Sequence, residues 1–261
     1  MRELTDLQKI ERSLRTTYRE TLWDPFIGAI KTYGLISPGD KIAACISGGK
    51  DSMLMAKLLQ ELVRRSDFPF DVTYLVMDPG YNPENRRKIE ENAARLALPV
   101  EIFETQIFDS VNKVEHSPCY LCARMRRGYL YSEAQKRGCN KIALGHHMND
   151  VIETTLMSVL YNSQLQAMPP KLTSQNFEGM ELIRPLYRVR ERDIIRWANY
   201  NNLEFIRCAC RFTENTEEDP SGSRRAMTKK LIADLERGTP GVENSIFNSI
   251  HKVDINTFPK I

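Results

Sequence analysis

Two short stretches hold residue types whose spacing could do chemistry. The first is Ser47-Gly48-Gly49-Lys50-Asp51-Ser52, between an apolar run, Lys41 to Ile46, and a helix-compatible stretch, Met53 to Arg65. A strand, a glycine turn and a helix together present backbone N–H groups to a phosphate. Adjacent glycines remove the Cβ atoms that would block close approach. Ser47 and Ser52 add hydroxyl donors, Lys50 adds positive charge, and Asp51 adds a carboxylate that could hold a magnesium ion or position a donor. The spacing is neither GxxxxGK[ST] nor GxGxxG. A tight turn in an ordinary βα unit would account for the two glycines alone, but not for the four polar residues around them.

The second stretch is Cys119-Tyr-Leu-Cys122, followed by Arg124, Arg126 and Arg127. Ser117 and Pro118 suit a helix start, so the CxxC sits at or near a helix N-terminus. There the dipole and the arginines lower thiol pKa values. Three chemistries fit these residues. A redox pair needs a thioredoxin-like context, and a zinc knuckle needs two more ligands at compact spacing. An iron–sulfur site can take its further ligands from far along the chain, where Cys208 and Cys210 stand. Cys45, on the buried strand, and Cys139, at a helix end, read as packing residues. Arg126 and Arg127 suit a nucleic-acid phosphate or a developing negative charge; a solvated basic helix face is the plainer alternative.

Other polar candidates lie where predicted strands end. Asp71 to Met77 reads as a buried strand ending at Asp78-Pro79-Gly80-Tyr81, where a ligand would sit in an open α/β sheet. Asp78 there meets a ribose or base, or caps a turn. Lys141 to Gly145 reads as another strand, delivering His146, His147, Asn149 and Asp150 to the same edge. Adjacent histidines point apart, so one at most faces a ligand. A zinc site from His146 and Asp150 is conceivable, but a polar loop holding ATP or magnesium fits the composition better.

The elements that position these residues alternate. Strands at Lys41–Ile46, Asp71–Met77, Val100–Glu104, Lys141–Gly145 and Glu181–Leu186 are separated by helices at Met53–Arg65, Pro83–Leu98, Val151–Tyr161 and Glu191–Tyr200. That alternation predicts an α/β fold, with an open, mostly parallel five-stranded sheet covered by helices on both faces. A short final stretch, Leu203–Arg207, is expected to be strand and to deliver Cys208 and Cys210 to the sheet's edge. Leu7, Ile10, Leu14, Tyr18 and Leu22 recur at helical spacing within a preface spanning Met1 to Gly34. A basic helix, Arg224–Leu235, and a short helical tail follow a polar loop. The expected organisation is residues 1–36 as a helical extension, 37–210 as the α/β domain that carries the glycine loop and the cysteines, and 211–261 as a basic loop and helical tail.

The 261 residues, 27% charged and 41% hydrophobic, suit a soluble globular chain of this size. The net charge of +3 is a weak sign of nucleic acid, whereas basic clusters at 124–127, 184–196, 207–211 and 224–230 are a stronger one. No run approaches a membrane span and no apolar signal region follows Met1, so a cytoplasmic protein without membrane contact is expected. Six unevenly spaced cysteines argue for metal or redox chemistry over a secreted disulfide framework.

Taken together, these motifs resemble a known family. SGGKDS resembles the pyrophosphate-binding loop of the PP-loop ATP pyrophosphatases, which adenylate a carbonyl oxygen. Cys119-xx-Cys122-x-Arg124-x-Arg126-Arg127-Gly128, Ala143-Leu-Gly-His-His147, Met168-Pro-Pro-Lys171-Leu172 and Ile183-Arg-Pro-Leu186 follow in order. The whole, over Leu35 to Arg211, is similar to the tRNA 2-thiocytidine synthetase (TtcA) family. The resemblance implies a Rossmann-like PP-loop fold and an enzyme that replaces the C2 oxygen of an anticodon-loop cytidine by sulfur. It implies ATP and Mg2+ as consumed cofactors, with AMP and pyrophosphate released, and a [4Fe–4S] cluster held by three cysteines, leaving one iron open to sulfide. Sulfide or a persulfide donor such as a cysteine desulfurase would supply the sulfur.

Carried over by residue, Ser47, Gly48, Gly49, Lys50, Asp51, Ser52, Asp78, Gly145 and His146 bind nucleotide, and Asp51, Asp150 and Arg126 serve catalysis. Cys119 and Cys122 match two cluster ligands, and Cys208 or Cys210, with a lean to Cys210, supplies the third. Two departures stand out: CxC in place of a CxxC-like pair at 208–210, and Asn149 where the family pattern is nearer Arg-Asp-Asp. Asp150 alone would then carry any work the missing carboxylate did. A homodimer would help a small basic protein cover a tRNA. Three rival readings compete with this one. A PP-loop ligase delivering ammonia gives the cysteines no task. A noncatalytic Fe–S protein that binds RNA or senses redox state leaves Ser47–Ser52 without one. A TtuA-type thiouridine synthetase would carry zinc-finger cysteine pairs at both ends, and this chain has none.

Overall fold

In the computed structural model the described residues are 3–108, 118–206 and 224–257. Helix α1 (Asp6–Arg15) begins with a capping box: Gln8 N donates to the Thr5 hydroxyl, and Thr5 N donates to Gln8 Oε1. The expected single helical preface is broken by a π-helical turn, Arg19–Trp23, before α2 (Asp24–Tyr33). Pro25 has no N–H to give Thr21, so the α-helical ladder cannot run through this point unchanged.

The sheet then builds from β1 (Lys41–Ile46), α3 (Lys50–Val63), β2 (Asp71–Asp78), α4 (Pro83–Arg95), β3 (Val100–Glu104), α5 (Pro118–Lys136) and β4 (Lys141–Ala143). After α6 (Met148–Asn162) come β5 (Lys171–Thr173), β6 (Glu181–Ile183), α7 (Glu191–Tyr200), α8 (Arg224–Gly238) and α9 (Val242–Ser249). The strand order is β3-β2-β1-β4-β6-β5, parallel throughout except for β5, which runs antiparallel to β6. The α/β architecture with a mostly parallel sheet is therefore as expected.

The described strands number six rather than five. The extra one, β5, has three residues, one half-buried and two exposed. So short an edge strand has no apolar alternation to reveal it. Residues 203–206, expected to be a short strand, form no ladder. They run instead past the Ser47–Ser52 loop, where Ile206 packs close to Gly48.

Strand β1 is central, and five of its six residues are buried, as a parallel sheet covered on both faces requires. Cys45 and Cys139 lie in one core cluster with Tyr131, Ile142 and Leu182. Burial pushes both thiols up, so neither is a ready nucleophile. The chain divides into two compact units. The first, Met1–His147 with Pro170–Glu214, contains the sheet. The second, Met148–Pro169 with Asn215–Ile261, contains α6, α8 and α9. No described helix is long and apolar enough to cross a membrane.

Candidate active site

Strand order reverses at β1: the chain goes from β1 to β2 on one side, and β4 pairs on the other. The loops after β1 and β4 therefore flank a topological switch point, where open α/β sheets bind ligands. Ser47-Gly48-Gly49 leaves β1, and Gly49 is the N-cap of α3 with no side chain to close the first turn. The N–H groups of that turn are thus left for a ligand.

The loop is fixed from inside. Ser47 N donates to Ser52 Oγ at 3.1 Å, the two hydroxyls stand 3.1 Å apart, and Ser52 Oγ donates to Gly49 O at 3.0 Å. These serines brace the loop in addition to offering donors. Gly48 has φ +85°, and a Cβ there would meet Ile89 Cγ1 at 2.5 Å. Gly145, from the loop after β4, is held still more tightly. A Cβ on it would lie 2.9 Å from Ser52 N and 3.1 Å from Asp51 C. Only glycine lets the two loops approach this closely.

Charge is concentrated on one turn. Lys50 Nζ bridges Asp51 Oδ2 and Glu191 Oε1, each at 3.1 Å. Burial pulls the Lys50 pKa down, but Asp51 and Glu191 together outweigh it and the net shift is upward, so the ammonium stays charged. Asp51 Oδ1 is buried with no hydrogen-bond partner, and His147 Nε2 stands 3.8 Å away. A buried carboxylate oxygen without a donor is costly. It fits a cation, and that donor chemistry suits Mg2+. Gly49, Lys50, Asp51, Glu191, Ala198 and Ile206 help line a pocket of about 680 Å³.

Asp78 is already engaged. Its Oδ1 accepts from Gly80 N and Tyr81 N, and its Oδ2 accepts from Arg86 Nη1 at 2.7 Å. The geometry is that of a turn clamp. Tyr81, positioned by this turn, donates from its hydroxyl to Ser47 O at 3.3 Å.

Comparison with known proteins agrees with this geometry. The PP-loop domain family matches residues 11–232. A tRNA-cytidine(32) 2-sulfurtransferase of Vibrio parahaemolyticus is 36% identical over 97% of this chain and 81% of its own length. One from Francisella philomiragia is 38% identical over 86% of each chain. The chain belongs to the PP-loop tRNA-cytidine(32) 2-sulfurtransferase family. Among solved structures, the U34-tRNA thiolase NcsA from Methanococcus maripaludis with its [4Fe–4S] cluster shares the fold. Its TM-score is 0.68 at 20% identity, over 88% of this chain and 77% of its own.

Within this family fold, the structure brings Ser47–Ser52, Gly145 and His147 together in the first unit. His146 follows Gly145 in the same loop. Cys119 and Cys122 lie in the first turns of α5, while Cys208 and Cys210 lie outside the described residues. Among the described residues no group of three or more His, Cys, Asp or Glu side chains is placed to hold a metal. Asp150 is on α6 in the second unit, where its Oδ1 accepts from Arg225 Nη2 at 2.6 Å; Arg225 Nε also donates to Glu153 at 2.8 Å. Asn149, the departure from the family pattern, donates from Nδ2 to Glu243 Oε1 at 3.0 Å. An aspartate could not make that bond. Glu191 escaped the sequence reading as a site residue. Its one signal is a carboxylate at the start of a helix that follows the Ile183-Arg-Pro-Leu186 motif, and only the fold brings it to Lys50.

Proposed function

We propose that this chain is an ATP-dependent tRNA sulfurtransferase that replaces the C2 oxygen of an anticodon-loop cytidine by sulfur. The observation that carries this reading is the switch-point cradle. There Gly145 lets the β4 loop meet the backbone of the α3 N-terminus, Gly48 packs against Ile89 and Ile206, and Asp51 Oδ1 lies buried with no hydrogen-bond partner beside them. In this reading the α3 N–H groups and Lys50 hold the ATP phosphates, and Asp51 takes Mg2+. Gly145 and the neighbouring His146 close the nucleotide side. The cytidine O2 attacks the α-phosphorus as the bond to pyrophosphate breaks. Sulfur at the sulfide level then bonds to C2, and AMP leaves with the former oxygen. No net electrons are exchanged.

Thiolates are the donors a [4Fe–4S] cluster takes, so Cys119 and Cys122 with Cys210 or Cys208 would hold it. When bound, the cluster supplies an iron site for sulfur. Asp150 is kept as a catalytic candidate, its negative charge held by Arg225. A cytoplasmic location and a homodimer on the tRNA belong to the same proposal, as does the donor: sulfide itself, or a persulfide whose outer sulfur is released as sulfide when a further thiol closes a disulfide with it.

The test is anaerobic. Protein with its cluster intact is given unmodified tRNA, ATP, Mg2+ and sulfide, and the digested RNA is read by mass spectrometry. A 2-thiocytidine peak lost in both Cys122→Ala and Asp51→Ala is expected. A thiouridine peak would move the target base. No thionucleoside despite ATP cleavage and a sound cluster would overturn the reading.

A further inference from the structure

Beside the phosphate cradle stands a cluster for which the reaction as described has no use. Tyr81 and Phe108 meet edge to face, with centroids 6.3 Å apart, and the Tyr81 hydroxyl donates to Ser47 O of the phosphate loop. The Arg126 guanidinium carbon lies 5.4 Å from the Phe108 ring centroid. Gly80, with φ +108°, brings the turn against Phe108: a Cβ there would stand 3.5 Å from the ring. Among the described residues, Arg126 Nε is buried and has no hydrogen-bond partner.

Helix α5 seats this arginine. Leu121 and Met125 pack on Met77 and Ile107, which fixes the helix's rotation. Positions 119, 122 and 126 are three and four residues apart and so share one face of α5, next to the packed one. The cluster is therefore tied to the phosphate loop at one end and shares a helix face with the CxxC at the other. Adenylation and sulfur transfer act on the same carbon, so the target base must lie within reach of both.

We propose that Tyr81, Phe108 and Arg126 form the seat of the extruded target base, and that Arg126 reads it as cytosine. This rests on the sulfurtransferase reading. Proteins recognise unstacked RNA bases on aromatic rings and guanidinium planes. An arginine stacked on a ring keeps its in-plane N–H groups directed outward. Cytosine offers two adjacent acceptors, O2 and N3, which match a guanidinium fork. Uracil carries a proton on N3, so one donor would meet another and the buried Nε–H would stay unpaired. The fork also contacts the oxygen that is to be adenylated, so recognition and activation fall on the same edge.

The experiment uses cluster-loaded protein and two full-length tRNA transcripts that differ only by C or U at the modified position. Wild type, Arg126→Met, Arg126→Lys and Phe108→Leu are compared by kcat/KM for thionucleoside formation. Cluster absorbance and RNA-independent ATP binding serve as checks on folding. Both arginine variants should lose about 30-fold on the cytidine transcript. Their preference for C over U should collapse, with absorbance and ATP affinity unchanged. Phe108→Leu, which removes only the stacking surface, should move the same way by less. If Arg126→Met slows both transcripts equally and lowers the salt slope by about one, Arg126 grips a phosphate and the inference falls. If the variants match wild type, it falls as well. Failure of wild type to thiolate either transcript would instead remove the sulfurtransferase reading, and this inference with it.

Discussion

Two residues show how little freedom the site allows. Gly145 has a negative φ, so it is not glycine for conformational reasons. It is glycine because Ser52 N and Asp51 C occupy the space a methyl group would need. Gly145→Ala must push the β4 loop off the α3 N-terminus, at a cost of about 2 kcal/mol in overpacking. Titration should show ATP affinity falling together with Tm; unchanged affinity would mean that the two loops do not form one cradle. Asn149 is bound by a different constraint. Its amide donates to Glu243 Oε1 at 3.0 Å. Restoring the family's aspartate would set two carboxylates against each other, so Asn149→Asp should lower thermal stability by about 1–2 kcal/mol. Adding Glu243→Gln should return most of the loss, a coupling that a double-mutant cycle measures directly. Without that recovery, the Asn149–Glu243 bond is not what favours the amide here.

Secondary-structure elements are tied together by buried charges. Lys57 of α3 is fully buried and donates to Glu11 of α1, to Gln60, and to Leu96 O at the end of α4. It joins the helical preface to the helix that carries the phosphate loop. At the opposite end of the sheet, Lys141 of β4 pairs with Asp40 at 2.8 Å and with Glu181 of β6 at 3.2 Å. Burial raises the Asp40 carboxyl's pKa, but the Lys141, Ser37 and Asn140 hydrogen bonds outweigh it, and the net shift is downward. A depressed carboxylate contributes stability above its unfolded pKa and loses it as pH falls through the folded value. Asp40→Asn should therefore cost stability at pH 7, and the gap from wild type should close as pH drops below the usual carboxylate range. A gap independent of pH in paired melts would assign the cost to packing. The parallel sheet and the Ser47–Ser52 loop were legible in the sequence, because β1 is an unbroken apolar run and its polar loop is contiguous. Features made by distant residues were not. Glu191 reaches Lys50 across 141 positions, β5 is too short to show a period, and the close approach of Gly145 depends on the backbone of another loop. The π-turn at Arg19–Trp23 was marked by Pro25, but a strong apolar stripe through Leu22 concealed it.

For the whole molecule, the question is where a net charge of +3 can grip a polyanion. Many cations are already committed. Arg86 pairs with Asp78, Arg95 with Asp6, and Arg137 with Glu101 and Glu133. In the basic helix α8, Arg225 lies against Asp150 and Glu153, so it organises the second unit and is not available as a phosphate contact. Lys230 is exposed, whereas Thr228 and Ile232 are the helix's buried positions. The two classes of cation should therefore respond differently to charge reversal. Lys230→Glu should weaken binding of unmodified tRNA and lower the slope of log affinity against log salt by about 0.7–0.9, one lysine releasing roughly one counterion. Tm and cluster absorbance should not move. Arg225→Glu should instead lower Tm, because it sets three carboxylates together, and its effect on RNA should follow unfolding of α8 rather than salt. An unchanged slope in the Lys230 variant would make α8 ordinary solvated surface. The tRNA grip would then have to lie on the first unit, beside the site it serves.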